Sequence, residues 1–572
     1  MPAGTAADDL ERSNSTLTPD RRDPTAMGDD LIVEKLEPPP ALDWDGPDDP
    51  GNAQNWSKWK KALHIYVFSM LGLATTVGVS SYSPAIGDVA ERFHVSHVAA
   101  TIPLTLYVLG QALGPCLAAP ISETCGRKSV FITTTPLGLL FAMGAGFSHN
   151  YGSLCILRFL AGLFCSPSLS VGGGIIADML NPIYRSVAIA FWVGVALLGT
   201  ALGPILAGFA VQNESWRWSQ WVFIFATLTG WIPSLFTSES YKKIILQRRA
   251  RLRSRAEEGV ESSRNPNKTA LSRWQAFAST AKFFLTVTLF RPFALLVQEP
   301  IVASFSIYLA VIFAVLFSFF EAFPIVFAGV YKFNLGETGL SFFGLFIGVT
   351  IGMAVHIFLD RITYYKKMLA RQARGDFSSL QPEERLYAAM LGAPLITISM
   401  FWFGWTSRAD VHWISAELAT MVFGIGAMGV LAPCLQYRES LPLFRGPMLA
   451  SSSVFPISVR YMLIARPTVL EVYGPLYGAS AVGANNLLRY AAGAVSPLYT
   501  RQMYAALGID VSPTSQFNAG YSVANAPSQW AVSLLAFATL ALLPVPFVLF
   551  KYGEAIRARS RYKPAEMAMK PE

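Results

Sequence analysis

Three ionisable groups stand where their neighbours are apolar, and such groups either do chemistry or cost stability. Arg158, in Leu157-Arg158-Phe159-Leu160-Ala161-Gly162, lies inside an uncharged run. A cation there costs about 2.5–3.5 kcal/mol on insertion scales, so it must face a water-filled cavity, meet a partner, or snorkel back to the nearer interface. Glu299 and Glu321 occupy one long run from Glu299-Pro300 to Phe327. A carboxylate in hydrocarbon is tolerated where it reaches water or takes up a proton, which makes both candidates for substrate or proton work. Glu299 sits near the inner end and serves equally as an end anchor, whereas Glu321 falls toward the outer half. Tyr107 and Gln111, four apart and so on one helix face, offer a ring and an amide to a central cavity, or simple core packing.

Two further stretches suggest moving parts. In Ser122-Glu123-Thr124-Cys125-Gly126-Arg127-Lys128 a carboxylate and a guanidinium flank a glycine turn, a set able to hold a neighbouring helix end and release it. Gly199, Gly203 and Gly208, with Ala207 between, allow a second helix to approach closely, and Pro204 frees a carbonyl four residues back. Tight packing alone also explains these small residues.

The elements that must position these groups follow from composition. Of 572 residues, 52% are apolar and 14% charged, well below the roughly 25% charged content of soluble proteins. The chain is therefore read as an all-α membrane protein. Runs long enough to cross about 30 Å of hydrocarbon fall at 64–86, 98–119, 129–147, 153–177, 187–211 and 220–237, and again at 300–328, 338–359, 388–406, 413–435, 477–499 and 530–550. That makes twelve transmembrane helices, six plus six.

The net charge of +8 does not indicate nucleic acid, because Lys and Arg gather in short loops where they set topology. Arg127, Lys128, Arg185, Arg361, Lys366, Lys367, Arg371 and Arg374 mark loops expected to be cytoplasmic, which places both termini in the cytosol. Five cysteines without CxxC spacing and six scattered histidines indicate neither a metal site nor a disulfide framework. No cofactor is expected. Residues 1–55, rich in Asp, Pro, Ser and Thr, are read as a disordered cytosolic tail, and no cleavable leader is expected. The expected domains are a six-helix bundle over 56–238, a cytosolic loop over 239–291 carrying a basic amphipathic helix on the inner leaflet, a second bundle over 292–553, and a cytosolic tail over 554–572.

Gly199 to Gly208 resembles the G-x-x-x-G-P-x-x-G-G signature of proton-coupled antiporters of the major facilitator superfamily, with Ala207 replacing one glycine. Asp43 to Trp56, Pro120 to Arg127, Arg291 to Pro300, and Glu321-Ala322-Phe323-Pro324-Ile325-Val326-Phe327 resemble motifs of the fungal twelve-span drug:proton antiporter branch, which includes multidrug, polyamine and secondary-metabolite exporters. The resemblance implies the major facilitator fold, with a central cavity between two bundles and alternating access. It implies that Glu123, Gly126 and Arg127 form a cytoplasmic latch, and that Arg158 serves proton coupling with Gly199, Gly203, Pro204 and Gly208. The branch's span-11 pattern is recognisable here from Val469 to Ala481, and Asn485 joins Tyr107, Gln111, Tyr308 and Glu321 as an expected cavity residue. Two stretches depart from the pattern, 438–468 and 511–529, and are read as unspliced intron translations or as genuine insertions.

The expected protein is thus a monomeric exporter of small amphipathic molecules, driven by protons across a lipid bilayer and placed by default in the plasma membrane. A proton-independent facilitator, an importer and a non-transporting receptor-like protein are the alternatives. An enzyme is not expected, since no His and carboxylate cluster has catalytic spacing. No Walker-type loop is present to support ATP drive.

Overall fold

The computed structural model describes residues 43–257, 296–297, 300–376, 380, 382–440, 474–507 and 529–558. Glu299, most of the central loop, and all but the edges of the 438–468 and 511–529 stretches lie outside them.

The first half comprises α1 (Lys58–Ser80), α2 (Ile86–Phe93), α3 (His97–Cys125), α4 (Arg127–Gly146), α5 (Tyr151–Cys165), α6 (Ser168–Met179), α7 (Pro182–Asn213), α8 (Trp218–Ser234) and α9 (Lys242–Glu257). The second comprises α10 (Pro300–Phe323), α11 (Leu335–Leu340), α12 (Phe343–Asp360), α13 (Lys366–Ala373), α14 (Tyr387–Thr406), α15 (Ile414–Ser440), α16 (Gly474–Leu507), α17 (Gln529–Leu542) and α18 (Pro544–Ala558). Among the described residues, 10 segments are long and apolar enough to cross a membrane. The two remaining expected spans are helices as well: α8, with 17 residues, and α16, with 34.

Polar residues set where these helices start. Ser57, Ser96 and Asn150 accept the backbone N–H of Lys60, Ala99 and Ser153, filling donors that a helix start leaves open. Asn334 and Glu337 cap each other's backbone at the start of α11. The break between α11 and α12 is closed by Glu417 of α15, whose carboxylate accepts the Gly344 N–H at 3.1 Å. Gly126 turns the chain between α3 and α4 at a φ of +101°, which L side chains rarely adopt, and a Cβ there would strike the Glu239 carboxylate.

In the first half α1 lies along α7 and α8, and α3 along α5; in the second, α10 lies along α16 and α14 along α15. The halves meet where α3 crosses α16 and where α7 crosses α11 and α12. An aromatic seam of Phe313, Phe317, Phe320 and Phe323 fills the second half along α10.

The structure corrects the expected tail. The compact unit begins at Trp44 rather than at residue 56. The lead-in folds on itself, with Asn55 donating to the Pro47 carbonyl at 2.7 Å and Lys61 to that of Gln54 at 2.6 Å. It then docks on α9. Arg249 grips Asp49 through both terminal nitrogens, one at 2.8 Å, and Arg253 meets Asp45 at 2.7 Å. The Arg249 guanidinium holds the Asp49 carboxyl far below the usual carboxylate range. The basic helix therefore binds the chain's own carboxylates, with Ile244 and Leu246 buried beneath it.

Candidate functional site

Arg158 is fully buried on α5, which excludes snorkelling. Its Nη1 donates to the Gly78 carbonyl of α1 at 2.8 Å and to the Gln220 side chain of α8 at 3.3 Å. The guanidinium lies 4.8 Å from the Tyr82 ring and 4.5 Å from the Tyr107 ring. Each aromatic face recovers about 0.5–2 kcal/mol of the cost of burying the charge. Tyr107 is held by its hydroxyl on the Thr75 carbonyl at 3.1 Å and by an edge contact with Phe223. Four elements of the first half thus converge on one fixed charge, whose Nε and Nη2 stay unpartnered among the described residues.

Among the described residues Arg158 and Glu321 share no hydrogen bond or ion pair. Glu321, 4% exposed on α10, accepts the Thr101 hydroxyl at 3.1 Å and lies 3.9 Å from His97 Nδ1. Both partners belong to α3, so this carboxylate sits in the seam between the halves. Ser83 donates to the Phe320 carbonyl at 2.8 Å and Thr105 to that of Ala494 at 2.9 Å in the same seam. The physical reason is depth: Glu321 is near the last turn of α10, level with the start of α3.

The glycine stretch on α7 divides its work. Gly199 abuts Thr76 and Leu73 of α1, and Gly203 abuts Ser80 and Ser81. Two hydroxyls lock that crossing: Thr76 donates to the Ala196 carbonyl at 2.6 Å and Ser80 to that of Gly199 at 2.9 Å. Gly208 instead faces the other half: a Cβ added there would lie 3.1 Å from the Leu335 carbonyl oxygen and 3.3 Å from the Gly339 Cα, and one added at Gly339 would strike the Pro204 carbonyl. Gln212 completes this contact by accepting the Gly336 N–H at 2.7 Å.

In the expected latch, Arg127 donates to Ser122 at 3.0 Å and pairs with Asp178 of α6 at 3.4 Å. Glu239 caps α4 through the backbone N–H groups of Arg127 and Lys128, at 2.9 and 3.1 Å. Glu123 lies on α3, and its side chain is outside the description. Every described partner of the loop belongs to the first half. On that side Gln436 of α15 donates across the halves to the Ser186 carbonyl at 2.9 Å.

Tyr107, Gln111, Tyr308, Glu321 and Asn485 are all buried. Gln111 and Asn485 leave both side-chain polar atoms without a partner among the described residues, a state that buried amides rarely adopt without a ligand or water. Sequence reasoning missed a second intramembrane cation, Arg489 on α16, 6% exposed and against Phe313 and Tyr490. It also missed His356 of α12, 3% exposed and beside Gln436 of α15. The same signal, an ionisable residue in an apolar run, would have found both.

Residues 68–441 match the family model of the Major Facilitator Superfamily. The chain is 34% identical to "Polyamine transporter 4" of Saccharomyces cerevisiae, over 99% of this chain and 80% of that one. It is 33% identical to "Fluconazole resistance protein 1" of the same yeast, over 93% and 86%. It is 32% identical to the "Citrinin biosynthesis cluster MFS transporter mrr1" of Monascus ruber, over 98% of each. Among solved structures, the human organic anion transporter MFSD10 shares the fold, with a TM-score of 0.51 over 86% of this chain and 100% of that one, at 14% identity. A helical membrane chain in two halves, matched along its length by fungal drug, polyamine and secondary-metabolite transporters, belongs to the major facilitator superfamily.

Proposed function

We propose that this transporter exports small amphipathic molecules by proton antiport with alternating access. Family membership makes it a membrane transporter rather than an enzyme. The observation that carries the finer reading is Glu321, a buried carboxylate within the seam that must part when the halves rock. Ionised, it accepts the Thr101 hydroxyl in a charge-assisted hydrogen bond; neutral, it loses the charge that favours that contact. Proton occupancy of one group is thereby tied to the hold between halves. Arg158 cannot carry the proton, since a guanidinium stays charged at working pH. Its part is to bind α1, α5 and α8 into one body and to keep the interior field positive. By the distribution of basic loops, the end bearing α2 faces outward and both termini face the cytosol; the plasma membrane is the default site of action.

The test is dye uptake into energised inside-out vesicles. Wild-type uptake should collapse with a proton uncoupler, and Glu321→Gln should leave a residual flux that ignores the gradient. Wild-type uptake indifferent to the uncoupler would make the protein a facilitator.

A further inference from the structure

Arg489 poses a problem that the surrounding fold does not solve. Its guanidinium lies 4.9 Å from the Phe313 ring and 4.8 Å from the Tyr490 ring, and Nη2 reaches the Tyr490 hydroxyl at 3.4 Å. Its Nε has no acceptor, and no ion pair among the described residues joins it to a carboxylate. One turn back on α16, both polar atoms of Asn485 and the Nδ2 of Asn486 are equally unpartnered, at 1% and 2% exposure. On α10 the Ser306 hydroxyl is fully buried without a partner.

These groups lie along one stretch of the contact between α10 and α16. The helices α10 and α16 run side by side, with Phe317 against Gly493 and Phe313 against Tyr490. Stepping back along both at about 1.5 Å per residue leaves Ser306 and Asn486 within ~5 Å of each other along the axis. Unfilled donors outnumber acceptors there. The guanidinium Nε and two amide groups donate, one amide oxygen accepts, and the hydroxyl does either. A donor-rich, cationic, desolvated set is complementary to an oxyanion, and a carboxylate's paired oxygens match the guanidinium fork. The Phe313 and Tyr490 rings beside it suit an aryl group. A polyamine brought to this place meets a like charge instead.

We infer that Arg489, Asn485, Asn486 and Ser306 form a subsite for the ionised acid group of the exported molecule, which is an amphipathic aromatic carboxylate or phenolate. The inference rests on the transport reading above, but binding can be measured without transport. Full-length protein in lipid nanodiscs is titrated at pH 7.5 with 1-naphthoate and its neutral isostere 1-naphthamide, with spermidine as competitor. The acid should bind at least tenfold tighter than the amide, and spermidine should not displace it. R489Q should erase that gap while leaving amide affinity within twofold, and R489K, which keeps the charge but not the fork, should narrow it. Equal affinity for acid and amide in the wild-type protein, displacement by spermidine, or a gap retained in R489Q overturns the inference. The wild-type comparison and R489K decide the matter if R489Q does not fold. Tenfold preference for the acid without proton-driven dye transport leaves the subsite standing and removes only the transport reading.

Discussion

At the residue scale the two buried guanidinia behave alike and were unequally visible. Arg158 stood out because nothing else polar surrounds it in sequence. Arg489 follows Asn485 and Asn486, and this more polar stretch hides it. The partners of Arg158 are not legible in the sequence, because Gly78 and Gln220 lie 80 and 62 positions away. Those partners make a prediction. Arg158→Lys keeps the charge but cannot span the Gly78 carbonyl, Gln220 and two rings with one compact ammonium. Gradient-driven dye uptake by Arg158→Lys should fall about as far as that of Arg158→Ala, at least tenfold, with both variants still in the membrane. Uptake near the wild-type rate in the lysine variant would reduce Arg158 to a charge without geometry.

At the element scale hydropathy gave the spans well, and small residues decide how they cross. Gly203 and Gly208 share one helix and one apparent motif, yet they face different bodies. Gly203→Leu drives a side chain into Ser80 and the Ser81 backbone, within the first half. It should lower thermal stability in detergent by several degrees. Gly208→Leu meets the α11 backbone across the halves, where the proposed alternating access requires packing to be remade in each cycle. It should leave the melting temperature near that of the wild type and cut turnover severalfold. Equal melting losses in the two variants would erase the distinction. The spacing of the glycines was visible in sequence, but the side each one serves was not, since helix rotation is set by contacts with α1 and α11. The α9 clasp makes another prediction. The pKa of Asp49 is lowered on folding, so its contribution is complete above the ordinary carboxylate value of about 4 and is lost only as pH falls toward the folded value. Asp49→Asn should therefore release the lead-in at neutral pH. Hydrogen exchange at the Gly51 amide, which donates to Asp49 at 2.7 Å, should quicken at least tenfold.

At the scale of the whole molecule, the described conformation has a closed seam at the end bearing α2, where Ser83, Thr101, Thr105 and Gln212 bond to the second half. If this seam must part for transport, fixing it stops the cycle. Replacing Ser83 and Phe320 with cysteine, in a background lacking the exposed Cys125, should give a protein that oxidant inactivates and reductant restores. Activity unaffected by a formed cross-link would mean that this end stays shut throughout. The clasp between lead-in and α9 has a consequence in time as well as in space. Asp49 and Arg249 are 200 positions apart, so a chain emerging from the ribosome carries Asp45 and Asp49 uncompensated while six spans are threaded into the bilayer. Only when α9 appears can the first half be tied off, by a contact between its beginning and its end. The clasp can therefore form only on a first half whose six spans have all been made.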